Sequence, residues 1–119
     1  MKRSVSGILL LDKSTEQSSN DALQEVKRMF QARKAGHTGT LDVRASGLLP
    51  ICFGEATKVS QYLLDDKKSY VTEFIFGRMT TSGDLEGEVL EEKAADFLTK
   101  EILVTAMKNF RGRIKQTPP

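Results

Sequence analysis

A single histidine, His37, is followed five residues later by an aspartate, Asp42, in a stretch that reads AGHTGTLDVRASGLLP over residues 35–50. Imidazole and carboxylate are side chains that move protons or attack carbon near neutral pH. Gly36, Gly39 and Gly47 interrupt the stretch, and Thr38 and Thr40 add hydroxyls. Glycine lets a backbone take positive φ and come close to a ligand. Lys27, Arg28, Arg33 and Lys34 lie just upstream and are suited to phosphate oxygens. On these residues alone two readings stand. One is a ligand-holding loop in which Asp42 is a nucleophile or base. The other is a plain turn in which Asp42 bonds its own neighbouring backbone.

Composition narrows the chemistry. The 119 residues suffice for one domain with a modest core, and 39% hydrophobic with 29% charged residues is ordinary for a globular protein. One histidine and one cysteine argue against a metal cluster and rule out a disulfide within the chain. Cys52 sits in the apolar run 48–53 and reads as a buried structural thiol. The apolar run after the basic start stops at Asp12-Lys13, too short for a signal segment, and no run approaches a membrane span. A cytoplasmic protein is expected. The net charge of +2 is unevenly spread, with an acidic segment over 80–99 between more basic ones. That distribution suits a polyanion-binding face and equally suits ordinary solvated faces.

The elements that must position His37 and Asp42 are legible in outline. Residues 7–11 read as a short buried strand, and 48–53 as a second. Ser18-Ser19-Asn20-Asp21 is a helix-start signal. The helix it opens places Leu23, Val26, Met29 and Phe30 on one apolar stripe. Residues 55–64 predict a helix with Ala56, Val59, Tyr62 and Leu63 on one side. Residues 69–78 alternate, Tyr70, Thr72, Phe74 and Phe76 against Val71, Glu73 and Ile75, which predicts a strand. A loop over 80–87, a short strand over 88–91, and a helix over 100–110 with Ile102, Leu103, Ala106, Met107 and Phe110 facing inward follow. Residues 113–116 are expected to begin another strand. The class is α+β in one domain, and the ending at Gln116-Thr117-Pro118-Pro119 reads as a cut.

Order and spacing add a stronger signal. GHTGTLDVRASGLLP resembles the GHxGTLDPxAxGxLP motif of the TruB-type pseudouridine synthases. Gly7 to Lys13 with Ser18 to Asp21 is similar to the family's opening GxxxxDKPxGxTSxD. Gly54-Glu55-Ala56-Thr57-Lys58 with Tyr62-Leu63-Leu64 resembles its GEATK and YLL helix, and Lys68-Ser69-Tyr70 its KxY strand. Gly77, Thr80, Asp84 and Gly87 fit GxxTxTxDxxG. Phe110-Arg111-Gly112 with Gln116 to Pro119 fits FxGxxxQxPP. The matched segments run in unbroken order from about residue 7 to residue 119.

The resemblance implies a pseudouridine synthase-type fold, a mixed and mainly antiparallel sheet flanked by helices. Residues 1–119 would be the N-terminal part of its catalytic domain, with the C-terminal half and an RNA-binding domain absent. It implies isomerisation of uridine to pseudouridine in RNA, most simply the T-arm uridine of tRNA, without cofactor or metal. Asp42 matches the catalytic aspartate and Tyr70 the tyrosine that stacks on the target base. His37 matches the histidine that contacts the RNA loop as the base is everted. Gly36, Thr38, Gly39 and Arg44 are the remaining substrate-binding candidates. Asp12 and Lys13 match a motif beside the cleft with a more structural role, and the GEATK helix is scaffold. Departures are Val43 and Ser14 where the family has proline, and Gln17 near its usual glycine. They and the missing half keep open an RNA-binding or RNA-chaperone module, or a fragment inactive alone. A guide-RNA-dependent relative is a third reading. The oligomeric state is not legible.

Overall fold

Two apolar runs find each other and a third strand joins them. Strand β1 (Gly7–Lys13) pairs antiparallel with β3 (Gly47–Phe53), and the short β2 (Ala35–His37) pairs antiparallel with the other edge of β3. The sheet order is therefore β1-β3-β2. Helix α1 (Ser19–Met29) lies in sequence between β1 and β2. Ser18 caps it by accepting from the Asp21 amide at 3.0 Å, and Asp21 in the first turn and Lys27 and Arg28 in the last complement the helix dipole. Ala22, Leu23 and Val26 of α1 pack with Ala32, Leu49, Ile51 and Phe53 into one core, against which Val5, Leu9, Leu11, Ala35 and Leu41 also rest. Full burial of a side chain such as Leu49 or Ile51 stabilises by about 1.5–3 kcal/mol.

This computed structural model describes residues 1–118; Pro119, the last residue of the Gln116–Pro119 match, lies outside them. It divides into two compact units, Met1–Ser69 and a second that begins at Tyr70. The first unit ends in a 3-10 turn, Gly54–Val59, and helix α2 (Ser60–Leu64). Gly54 is required there: its φ is +54°, and a Cβ would fall 2.4 Å from the Val5 carbonyl oxygen. In the second unit β4 (Arg78–Thr80) pairs antiparallel with β5 (Val89–Glu92), and α3 (Lys100–Met107) runs into a 3-10 turn, Lys108–Phe110. Thr99 caps α3 by accepting from the Ile102 amide. The α+β class holds, with strands β1 and β3 and helices α1 and α3 where the sequence puts them. No helix among the described residues is long and apolar enough to cross a membrane.

Several expectations are corrected. Residues 70–75 form no strand, although they alternate, because no second strand pairs with them among the described residues. Both alternating sets stay exposed, Val71 and Ile75 as much as Tyr70 and Phe74. Residues 113–116 likewise form no strand. Ile102, Met107 and Phe110 are exposed rather than inward, and no residue of α3 is buried among the described residues. The 55–64 helix is split into its 3-10 and α parts, and Val59 and Tyr62 are exposed. On α1, Met29 is exposed, while Phe30 meets Phe53 ring to ring at 5.2 Å. His37 ends a strand instead of lying in a loop. Cys52 is buried as expected, and burial pushes its thiol up from the ordinary range.

Candidate active site

The sheet register decides where the chemistry-bearing stretch starts. His37 faces Ile51 at the end of the β2–β3 ladder, and the Thr38 amide donates to the Pro50 carbonyl at 3.0 Å. The chain then leaves the sheet until β3 begins at Gly47. Everything between is a loop anchored at both ends on one central strand. Gly39 takes a φ of +79°, a conformation that costs a side-chain-bearing residue about 1–2 kcal/mol. The His37 imidazole Nδ1 lies 2.5 Å from the Gly39 carbonyl oxygen. A carbonyl only accepts, so Nδ1 is the donor of this contact. The Lys68 ammonium and the Leu64 side chain lie over Gly39, within van der Waals range of where its Cβ would be.

Asp42 opens a tight turn. The Ala45 amide donates to the Asp42 carbonyl at 3.0 Å, closing Asp42-Val43-Arg44-Ala45. Among the described residues, positive φ outside glycine occurs only at Glu16 and Gln31, so neither Val43 nor Arg44 has it. Types II, I′ and II′ each need positive φ at a central position, which leaves a type I turn. Position i+1 of such a turn favours proline, which gives the physical meaning of the proline the family pattern has where Val43 stands. The Asp42 carboxylate is exposed and forms no ion pair among the described residues.

The turn is held from behind. Lys13, at the end of β1, is 1% exposed, and its ammonium donates to the carbonyls of Ser14 (2.8 Å), Gln17 (2.7 Å) and Val43 (3.2 Å). A buried ammonium is tolerated when each N–H meets an acceptor, and here all three do. The Glu16 amide donates to the same Val43 carbonyl at 2.9 Å. Glu16 holds a φ of +67°, so the left-handed position lies one residue before Gln17, in the place of the glycine in DKPxG. On the other side of Asp42, the buried Ser19 hydroxyl donates to the Leu41 carbonyl at 3.0 Å and accepts from the Leu41 amide at 2.9 Å.

The structure thus brings together Gly36, His37, Thr38, Gly39, Asp42 and Arg44 in the first unit. Thr38 is buried, Arg44 is exposed, and Gly36 pairs with Cys52 in the sheet. Tyr70 belongs to the second unit, with an exposed ring. Lys58 pairs with Glu55 on the surface and holds that carboxyl below its usual range. A shallow cavity of about 350 Å³ in the second unit is lined by Phe76, Arg78, Met79, Glu91 and Phe97, among others, and by none of the residues chosen from the sequence. Ser19 and Glu16 were not legible as site-building residues. Their signals are a second serine beyond the one a cap needs, and a charged residue in a glycine position.

The family profile described as TruB family pseudouridylate synthase (N terminal domain) matches residues 27–119. The chain is 57% identical over 117 residues to tRNA pseudouridine synthase B of Marinomonas sp. (strain MWYL1), covering 98% of this chain and 38% of that protein. It is 54% identical over 119 residues to the protein of the same description from Pseudomonas aeruginosa (strain UCBPP-PA14), covering 39% of it. The chain therefore spans under two fifths of the length of these relatives. A solved H/ACA RNP bound to a substrate RNA containing 2'-deoxyuridine superposes with a TM-score of 0.61 at 26% identity, over 95% of this chain and 30% of that one. A Cbf5-Nop10-Gar1 complex gives 0.60 at 26% identity, over 95% and 29%.

Proposed function

The chain belongs to the TruB family of pseudouridylate synthases, and on that premise we propose that it acts on tRNA, isomerising the T-arm uridine (tRNA position 55) to pseudouridine with Asp42 as the reacting carboxylate. The observation that carries this reading is the Asp42 turn, which presents an exposed carboxylate on a backbone fixed on both flanks by buried side chains. Residues 1–119 form the N-terminal part of the catalytic domain in this reading, because the relatives continue well beyond the matched stretch. The cytoplasm, where tRNA is modified, is its expected location.

The reaction breaks the C1′–N1 glycosidic bond, turns the uracil and forms a C1′–C5 bond. C5 gives up its proton and N1 gains one, so nothing is added or removed overall and no cofactor or metal is required. Asp42 attacks the sugar or removes a sugar proton; either role needs an ionised carboxylate close to the sugar. The base must first leave its stack, at a cost of a few kcal/mol. Stacking on Tyr70 offsets part of this, at about 1–3 kcal/mol per base. His37 holds the everted nucleotide, and Gly36, Thr38 and Gly39 let the loop lie tightly against RNA. Arg44, next to the turn, is placed for a phosphate.

Identity favours the stand-alone enzyme over a guide-dependent relative: 57% to the Marinomonas protein against 26% to the H/ACA structure. The test uses this chain alone and fused to the segment that follows the matched stretch in the Marinomonas relative. Each is incubated with unmodified tRNA transcript, and pseudouridine is mapped chemically. Product at the T-arm uridine from the fusion is expected, with little or none from the chain alone. Product only with an added guide RNA, or RNA binding without product, would overturn the proposal in favour of a guided enzyme or a binding module.

A further inference from the structure

Ser19 is the first residue of α1, and its neighbour Ser18 already supplies the cap. Its hydroxyl therefore has no helix-capping task. Instead it spans 22 residues to Leu41 and satisfies both polar groups of that one residue, the carbonyl at 3.0 Å and the amide at 2.9 Å. Leu41 lies outside every strand, so no ladder bond serves it, and its side chain rests against the core. A residue bonded through N–H and C=O to one atom, with its side chain packed, can neither slide nor rotate. Leu41 is joined directly to Asp42.

We infer that Ser19 is a positioning residue for the Asp42 carboxylate, a latch that fixes the N-terminal flank of the turn to the start of α1. This rests on the reading of Asp42 as the reacting group. Misplacement of a reacting group by about 1 Å costs on the order of 100-fold in rate, so loss of the latch should lower kcat and leave tRNA binding alone.

Two measurements test it, on wild type, Ser19→Ala and the hydroxyl-keeping Ser19→Thr. The first is amide hydrogen exchange on the 119-residue chain. Ser19→Ala should speed exchange at Leu41 at least about tenfold, while amides of β1 and β3 keep their protection, and Ser19→Thr should restore Leu41. Unchanged exchange at Leu41, or equal acceleration across the sheet, would overturn the latch. The second is single-turnover pseudouridine formation by the fusion. Ser19→Ala should lose about 100-fold in rate with tRNA affinity within threefold, and Ser19→Thr should recover most of it. Full turnover by Ser19→Ala would overturn the positioning role. Absence of product from the wild-type fusion would defeat the functional reading instead, and the exchange data would still decide the latch.

Discussion

Lys13 and Val43 lie thirty residues apart in the chain and meet through a 3.2 Å hydrogen bond from the buried ammonium to the carbonyl that follows Asp42. With Ser19 on Leu41, this puts a buried anchor on each side of the candidate catalytic aspartate. Neither anchor touches the carboxylate. They set where its backbone can be, and leave the side chain to the substrate.

Replacing Lys13 by methionine keeps the bulk and removes three donors. The carbonyls of Ser14 and Gln17 then lose the ammonium, and the Val43 carbonyl keeps only the Glu16 amide. We expect a loss of about 2–4 kcal/mol in stability, measured as a lowered urea midpoint. An unchanged midpoint would mean that water replaces the ammonium without cost.

Glu16→Gly should stabilise the chain by about 0.5–1 kcal/mol, because the φ of +67° strains glutamate and suits glycine, less the extra chain entropy glycine brings. Thermal unfolding of the two proteins checks this. A lower melting temperature for the glycine variant would show that the Glu16 side chain contributes more than its backbone costs.

Val43→Pro should add about 0.4–1 kcal/mol by restricting the unfolded chain. Position i+1 of the type I turn accepts proline, and no hydrogen bond among the described residues uses the Val43 amide. The Val43 carbonyl keeps its bonds to Lys13 and Glu16. Denaturant titration gives the result, and destabilisation would contradict the turn assignment.

Much of this architecture is legible in the residues. The apolar runs at 7–11 and 48–53 give β1 and β3, and Ser18 with Asp21 gives the start of α1, because these signals are local. His37 and Asp42 stand out by type and spacing alone. The anchors do not, since a lysine ending a strand and a serine opening a helix acquire their roles only when the chain folds back over 30 and 22 residues. The alternation over 69–78 misleads for a related reason. Period two describes a strand with a partner and a covered face, and residues 70–75 have neither among the described residues. The exposed stripe on α3 has the same origin. The left-handed residue is Glu16, whose amide also donates to the Val43 carbonyl.

The most direct test of the account is Asp42→Asn in the fusion, with tRNA binding and pseudouridine formation measured side by side. Asparagine keeps the size and the turn but removes the charge that the chemistry needs. The expected result is turnover reduced by at least about 1,000-fold with tRNA affinity within a few fold of wild type. Turnover that survives the substitution would contradict Asp42 as the reacting group, and with it the purpose assigned here to both anchors.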